Sequence, residues 1–521
     1  VSVLQRYRPP VLVGGLTSSA IQAAIDSSVP GDEVVFPNGV YSISSTVVLK
    51  PNRRYTSTHP SNGSRTSPTS STTALGGAIL QQAAAANLDA MLVAEAYDST
   101  TATQLDAPIE VDHLIIDGNK SAQTAGAGHG LVMANFRGNA HDLNIINPRG
   151  AGLILTDERR NGGDLAGPGF ECRLDRVLVD APGMHGIWIR NGAGASAVSD
   201  GFLRDCVVGF SGMDGIHLET SVGWEISGCH VYATGHNHIT TRGAHATRIH
   251  DNYLESFGRV TGSGSIAYAA GTTYDRYAPV LSGGVAYYSL IDSNLGNTPS
   301  SSPTAWQPLL VAAYVGLLMF LTGGTRPSFV HDNVVANNSI NQQGFAYRAF
   351  NVHTDASNVA TVLFHDNCVS QEAVSGSSVY TAYRLNRASG TLRVWGRNNK
   401  ILGTVGTTWN VDATVDLGTV ATVAAGAQTQ SIASTSPTDH AGAVSATAVA
   451  VPAAGAVAVV TFGSGLGRAP AAVVITPTTA AAAAAGLYVS AKSATAFTVS
   501  SSVAAVGDAV LGFDYAVTSQ G

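Results

Sequence analysis

Three short segments hold most of the reactive side chains of a chain that is otherwise poor in charge. They are Gly183-Met-His-Gly-Ile-Trp-Ile-Arg190, Gly212-Met-Asp-Gly-Ile-His-Leu-Glu219 and Gly235-His-Asn-His-Ile-Thr-Thr-Arg242, and they align without gaps. Read as strands, period-two alternation sends Ile187, Ile189, Ile216, Leu218 and Ile239 inward. The opposite set then faces out as two stacks, Trp188 over His217 over Thr240, and Arg190 over Glu219 over Arg242. At the preceding turn His185, Asp214 and Asn237 form a third stack. Asp214 and Glu219 are close enough along the chain to supply the acid and the base or nucleophile of glycosidic hydrolysis. His217 shares the face of Glu219, and with His185 it could move a proton. Flanking arginines favour an ionised Glu219. Arg190, Arg242, Trp188 and His238 make up the expected substrate-binding set, the arginines for anionic groups and the indole for a sugar face. Arg190, Glu219 and Arg242 could alternatively form a salt-bridge ladder that ties stacked strands together. Asp157 and Glu158, in the polar stretch 156–164, are further carboxylates that could bind substrate at one wall of the groove.

The element that must position these residues repeats. His141-Asp-Leu-Asn-Ile-Ile, Leu203-Arg-Asp-Cys-Val-Val, Ile249-His-Asp-Asn-Tyr-Leu, Val330-His-Asp-Asn-Val-Val and Phe364-His-Asp-Asn-Cys-Val are versions of one unit, a polar turn followed by a short apolar run. Cys206, Cys229 and Asn252 follow one another at intervals of 23 residues. A period of this length in strand-rich sequence predicts a β-solenoid. Equivalent residues of successive units then stack about 4.8 Å apart. Because His250-Asp251, His331-Asp332 and His365-Asp366 recur at one place in the unit, turn geometry accounts for them better than catalysis does. Cys206 and Cys229 fall at matching places and are expected to be neighbouring buried thiols, with a disulfide between them as the alternative.

Composition sets limits. Of 521 residues only 12% are charged and 57 are glycine, which suits short strands and tight turns. A net charge of −7 gives no reason to expect nucleic-acid binding. The apolar run from Leu309 to Leu321 is too short for a bilayer, which needs about 20 residues, so no membrane insertion is expected. No CxxC or similar spacing occurs, and neither metal nor cofactor is expected.

Thr17-Ser-Ser-Ala-Ile-Gln-Ala-Ala-Ile predicts a capped helix with Ile21, Ala24 and Ile25 on its apolar stripe, followed by strands around the Pro-Asn-Gly turn of Gly31-Asp-Glu-Val-Val-Phe-Pro-Asn-Gly-Val-Tyr. This opening resembles that of pectate-lyase-like proteins, and the resemblance extends over the repeats to about residue 405. It implies an all-β chain, a right-handed parallel β-helix, with a cap and first coils over 1–75 and the solenoid over 76–405. Within it, 262–308 resembles small chitin-binding modules through Tyr268, Val285-Ala-Tyr-Tyr-Ser and Trp306, which implies sugar contact by Tyr287 and Trp306 or, alternatively, a packed core around them. Residues 412–521 resemble the terminal β-sandwich domains of phage tail fibres and tailspikes, which implies homotrimerisation. Together the resemblances imply a tailspike-like polysaccharide depolymerase, extracellular or virion-associated, or a secreted bacterial protein. A glycoside hydrolase is the first expectation. A lyase or glycan transferase on the same scaffold is the second, and a non-catalytic glycan-binding adhesin the third.

Overall fold

The computed structural model describes residues 9–59, 77–167, 171–191, 199–220, 222–255, 266–274, 279–283, 285–291, 293–308, 313–321, 326–337, 346–354, 359–371, 380–387, 391–397, 399–402, 407–411, 422–435, 441–449, 453–461, 470 and 472–518. By contact density the chain divides into two units, 1–390 with 398–413, and 391–397 with 414–521.

The first unit is a right-handed parallel β-helix, the hand that β–crossover–β connections take. Its strands stack into three long parallel sheets, and each turn of the chain contributes one strand to each. Register shows the stacking directly: Ile154 pairs with Trp188, Trp188 with His217, and His217 with Thr240. The predicted inward residues Ile187, Ile189, Ile216, Leu218 and Ile239 are all fully buried. The helix Ser18–Ser27 lies where the sequence predicts it, with Thr17 Oγ1 accepting from the Ala20 amide at 3.2 Å and Ile21, Ala24 and Ile25 buried.

The recurrent His-Asp-Asn turn resolves into three parts. Asp251, Asp332 and Asp366 adopt left-handed φ of 57°, 54° and 56°, a conformation that Asp tolerates better than most residues. Each accepts from the preceding histidine, at 2.8, 2.8 and 2.7 Å, and His250, His331 and His365 stack with ring centroids 4.9 Å apart and planes within 4°. The asparagines point in and form a ladder. Asn252 Nδ2 donates to Asn333 at 2.9 Å, Asn333 to Asn367 at 3.0 Å, and Asn367 to Asn399 at 3.1 Å, each also donating to a backbone carbonyl. Buried amides satisfied rung by rung fix the register of the stack. Cys206 and Cys229 precede the ladder in the same column as free, buried thiols, and their mutual contact and burial hold the Cys229 thiol protonated.

The solenoid is interrupted after Tyr253–Glu255. Ile239–Ala244 pairs in parallel with Ala313–Leu321, so the next strand of that sheet comes about 70 residues later in the chain. Between them Ile266–Ala267, Pro279–Ser282, Val285–Ser289 and Trp306–Pro308 make a separate four-stranded sheet. Among the described residues no helix is long and apolar enough to cross a membrane, and Leu309–Leu321 contains the strand Ala313–Leu321. In the second unit, two four-stranded antiparallel sheets enclose Val444, Val460, Phe497, Val499 and Phe513. Val474, Tyr488, Val503, Val506 and Val510 of this unit are exposed.

Candidate active site

The three predicted segments form neighbouring rungs of one sheet. A glycine precedes the inward isoleucine in each of the first two because a side chain there has no room. A Cβ on Gly186 would lie 2.2 Å from Val208, and one on Gly215 2.2 Å from Val231. This close approach sets the corner at which His185 and Asp214 stand.

Asp214 is the centre of the cluster and only 2% exposed. His217 Nδ1 donates to one carboxylate oxygen at 2.6 Å and His236 Nδ1 to the other at 2.6 Å, while the Asn237 amide donates at 3.0 Å. Burial alone would raise its pKa, but attraction to His236 and the hydrogen bonds from both histidines hold it well below the ordinary carboxylate range. Buried and ionised, Asp214 has no proton to give and stands out of reach of a ligand, unlike the partly exposed Glu219, so the expectation of Asp214 as general acid or base is corrected, and its oxygens hold His217 and His236 in place. His236, which sequence reasoning passed over, is the second half of that clamp. Its signal was present in Gly235-His-Asn, one residue before the aligned turn position.

His217 has its Nδ1 fixed, which leaves Nε2 for exchange with a ligand. Its ring stacks on His185 at 4.3 Å, and His185 lies 5.4 Å from Trp188. His185 is buried, Nδ1 has no hydrogen-bond partner among the described residues, and burial followed by repulsion from His217 holds it neutral. Glu219 accepts from Trp188 Nε1 at 3.1 Å and from the Asn191 amide at 3.1 Å. The half-buried indole is thus locked over His217 by the carboxylate two residues further along the same strand face.

The backbone pairing that would stack Arg242 on Glu219 ends at Leu218 opposite Thr241, and against the next strand, Ala313–Leu321, the register shifts after Thr241. Arg190 pairs with Glu158 at 2.6 Å and lies 5.3 Å from the Trp188 ring. Burial, followed by the field of Glu219 and Asp164 against that of Arg190, raises the Glu158 pKa. Glu158 therefore joins the cluster, whereas Asp157 is only 1% exposed.

Three further expected binding residues are interior. His238 stands in the column occupied by Gly152, Gly186, Gly215 and Gly316, so its ring is tucked into the solenoid, where Nε2 meets the Glu255 carbonyl at 2.7 Å. Burial drives its pKa down to about 3. Trp306, 1% exposed, donates to the Asn297 carbonyl at 2.7 Å, and with Tyr287, Tyr274 and Val280 it forms the core of the inserted sheet. The packed-core alternative holds for both aromatics.

Among the described residues two groups offer ligand atoms within 4.8 Å of one another, His185 with Asp214 and His217, and Glu110 with Asp112 and His141. In the first, both Asp214 oxygens already accept imidazole N–H. In the second, Arg54 Nε lies 2.7 Å from Asp112 and 3.3 Å from Glu110, filling the place of a cation.

No family model and no curated protein matches the chain. Among solved structures it is similar to an alginate lyase from Paenibacillus (TM-score 0.38, 12% identity, covering 78% of this chain and 98% of that one). It is also similar to a lidless DFA-IIIase from Arthrobacter chlorophenolicus (0.44, 12%, 79% and 91%). The Dettilon tailspike protein is a third such structure (0.39, 9%, 96% and 90%).

Proposed function

We propose that this chain is a polysaccharide-processing enzyme, an endo-acting glycoside hydrolase whose reaction runs at His217 and Glu219. The observation that carries the reading is the buried Asp214 clamp, which fixes the His217 tautomer directly beside an indole held by Glu219. His217 and Glu219 lie two residues apart on one strand face, about 6.7 Å along the backbone, a spacing that leaves room for a water between them and the scissile bond. In this scheme Nε2 of protonated His217 gives its proton to the leaving glycosidic oxygen. Glu219 takes a proton from the attacking water, whose oxygen bonds to the anomeric carbon as the C–O bond breaks. Trp188 supplies the flat surface for a sugar ring, and Glu158 with Arg190 closes one side.

The proposal includes assembly and setting. The exposed Val474, Tyr488, Val503, Val506 and Val510 suit burial between copies, which favours a homotrimer, and an extracellular or virion-associated glycan is the natural substrate for such a chain. Light scattering of the intact chain tests the first point, with a monomeric mass as the contrary result.

Incubation with a panel of capsular and cell-wall polysaccharides tests the activity. Shorter chains with new reducing ends are expected, and Glu219→Gln should lose them. Unsaturated uronate ends, seen by ultraviolet absorbance, would assign β-elimination with His217 as base. A glycan that is retained yet unchanged in length would make the protein an adhesin.

A further inference from the structure

Two arginines further along the same sheet point to a second site. In successive rungs the corner residue and the residue three positions later meet on the outer side. His185 lies 5.4 Å from Trp188, Asp214 is bonded to His217 at 2.6 Å, Asn237 to Thr240 at 2.9 Å, and Val315 clusters with Leu318. Backbone register carries the pattern on. Val315 pairs with Arg348 and Leu318 with Asn351, and these pair in turn with Thr381 and Arg384. Arg348 thus takes the corner place of Asp214, and Arg384 the face place of His217. They stand three and four rungs away, about 14 and 19 Å at ~4.8 Å per rung. The buried apolar rung of Val315, Leu318 and Phe320 separates the two polar regions.

The pair differs from the arginines that are matched to carboxylates. Arg54, Arg137, Arg160, Arg176, Arg190 and Arg204 each have a carboxylate oxygen within 2.6–2.9 Å. Arg348 and Arg384 have none among the described residues. Removal from water, and then repulsion from Arg384, bring Arg348 down to about 10. A partly buried guanidinium beside a like charge is unfavourable unless an anion completes it. Two guanidinium forks on adjacent rungs match the planar, doubly accepting geometry of a carboxylate or sulfate.

We propose that Arg348 and Arg384 form an anion subsite for the carboxylate or sulfate groups of an acidic polysaccharide. The glycan processed at His217 is then a charged one; this clause rests on the proposed activity, whereas anion binding does not.

The test is calorimetric titration of the full chain with polygalacturonate, chondroitin sulfate and neutral dextran, at low and high salt. Acidic glycan should bind in preference to dextran and weaken with salt. Arg348→Gln and Arg384→Gln should each weaken it by about tenfold or more, while His331→Ala, in the stack on another sheet, leaves it unchanged. Preference for polygalacturonate selects carboxylate, and preference for chondroitin sulfate selects sulfate. Equal binding of dextran, or unchanged binding in both arginine variants, overturns the proposal. Folding gives an independent readout. Relief of repulsion should leave the melting temperature of Arg384→Gln, without glycan, equal to or above that of the parent. A clear fall would mean that the arginine is paired within the protein and would overturn the subsite. Acidic binding without cleavage of any glycan would sustain the subsite and reject the activity, whereas cleavage of dextran with no arginine dependence would do the reverse.

Discussion

Two groups of histidines set against aspartates, on two sheets of the solenoid, have opposite characters. His250, His331 and His365 repeat at one register, each bonded to the aspartate that follows it, and each rung copies the last. His185, His217 and His236 converge from three rungs on the single Asp214, and no rung copies another. The chemistry of the side chains is the same. Repetition spreads it into a stack that holds register, and loss of repetition concentrates it into one buried anion with an accessible imidazole beside it. In a solenoid, departure from the repeat is therefore the marker of a site.

That contrast can be broken at its strongest point by replacing His217. His217→Ala should lower turnover by about 10²–10⁴-fold, the usual worth of positioned proton transfer, far more than the fall in stability of about 1–3 kcal/mol expected from taking one partner from the buried Asp214. Asp214→Asn should act through the same group. One amide oxygen can accept from only one of the two imidazoles, so activity should fall while the pH dependence of the remaining rate shifts, a change that lost packing alone would not produce.

The ladder side should respond in stability alone. Asn333→Ala strips one side-chain partner each from the buried amides of Asn252 and Asn367, which keep only part of their hydrogen bonds, at about 1–3 kcal/mol. Thermal unfolding should show this, and rate per folded molecule should not change.

Acid should sharpen the comparison further. His238 is neutral in the fold, with a pKa of about 3 against about 6.5 when unfolded, so the unfolded chain binds more protons between those values. Its contribution is present above pH ~6.5 and is lost as pH falls toward about 3. His238→Gln should flatten the decline of melting temperature over that window. An unaltered slope would place the ring in contact with solvent. The smallest effect is expected at His331→Ala, where a stacked, partly exposed ring is removed, at under about 1 kcal/mol.

Much of the fold was legible because it repeats. Alternation identified Ile187, Ile216 and Ile239 as interior, and the Asp of each His-Asp-Asn turn marked a left-handed residue. The site was legible in its location but less so in its bonding. Alignment brought Asp214, His217, Trp188 and Glu219 together. It could not show that Asp214 would be saturated by His236, because that contact crosses rungs at a position where the repeat is broken. It also extended the stack to Arg242, beyond Leu218 and Thr241 where the pairing of those two strands ends. His238 misled for a related reason, since alternation says nothing of a residue that replaces a glycine at a crowded corner.

The most direct measurement sets the two histidine groups against each other in one assay. His217→Ala and His331→Ala are prepared as folded protein and incubated with a polysaccharide that the parent shortens, and product chain length is followed over time. The account predicts that His331→Ala cleaves at the parental rate and His217→Ala does not cleave within the same period. Parental cleavage by His217→Ala, or equal loss in both variants, would contradict it.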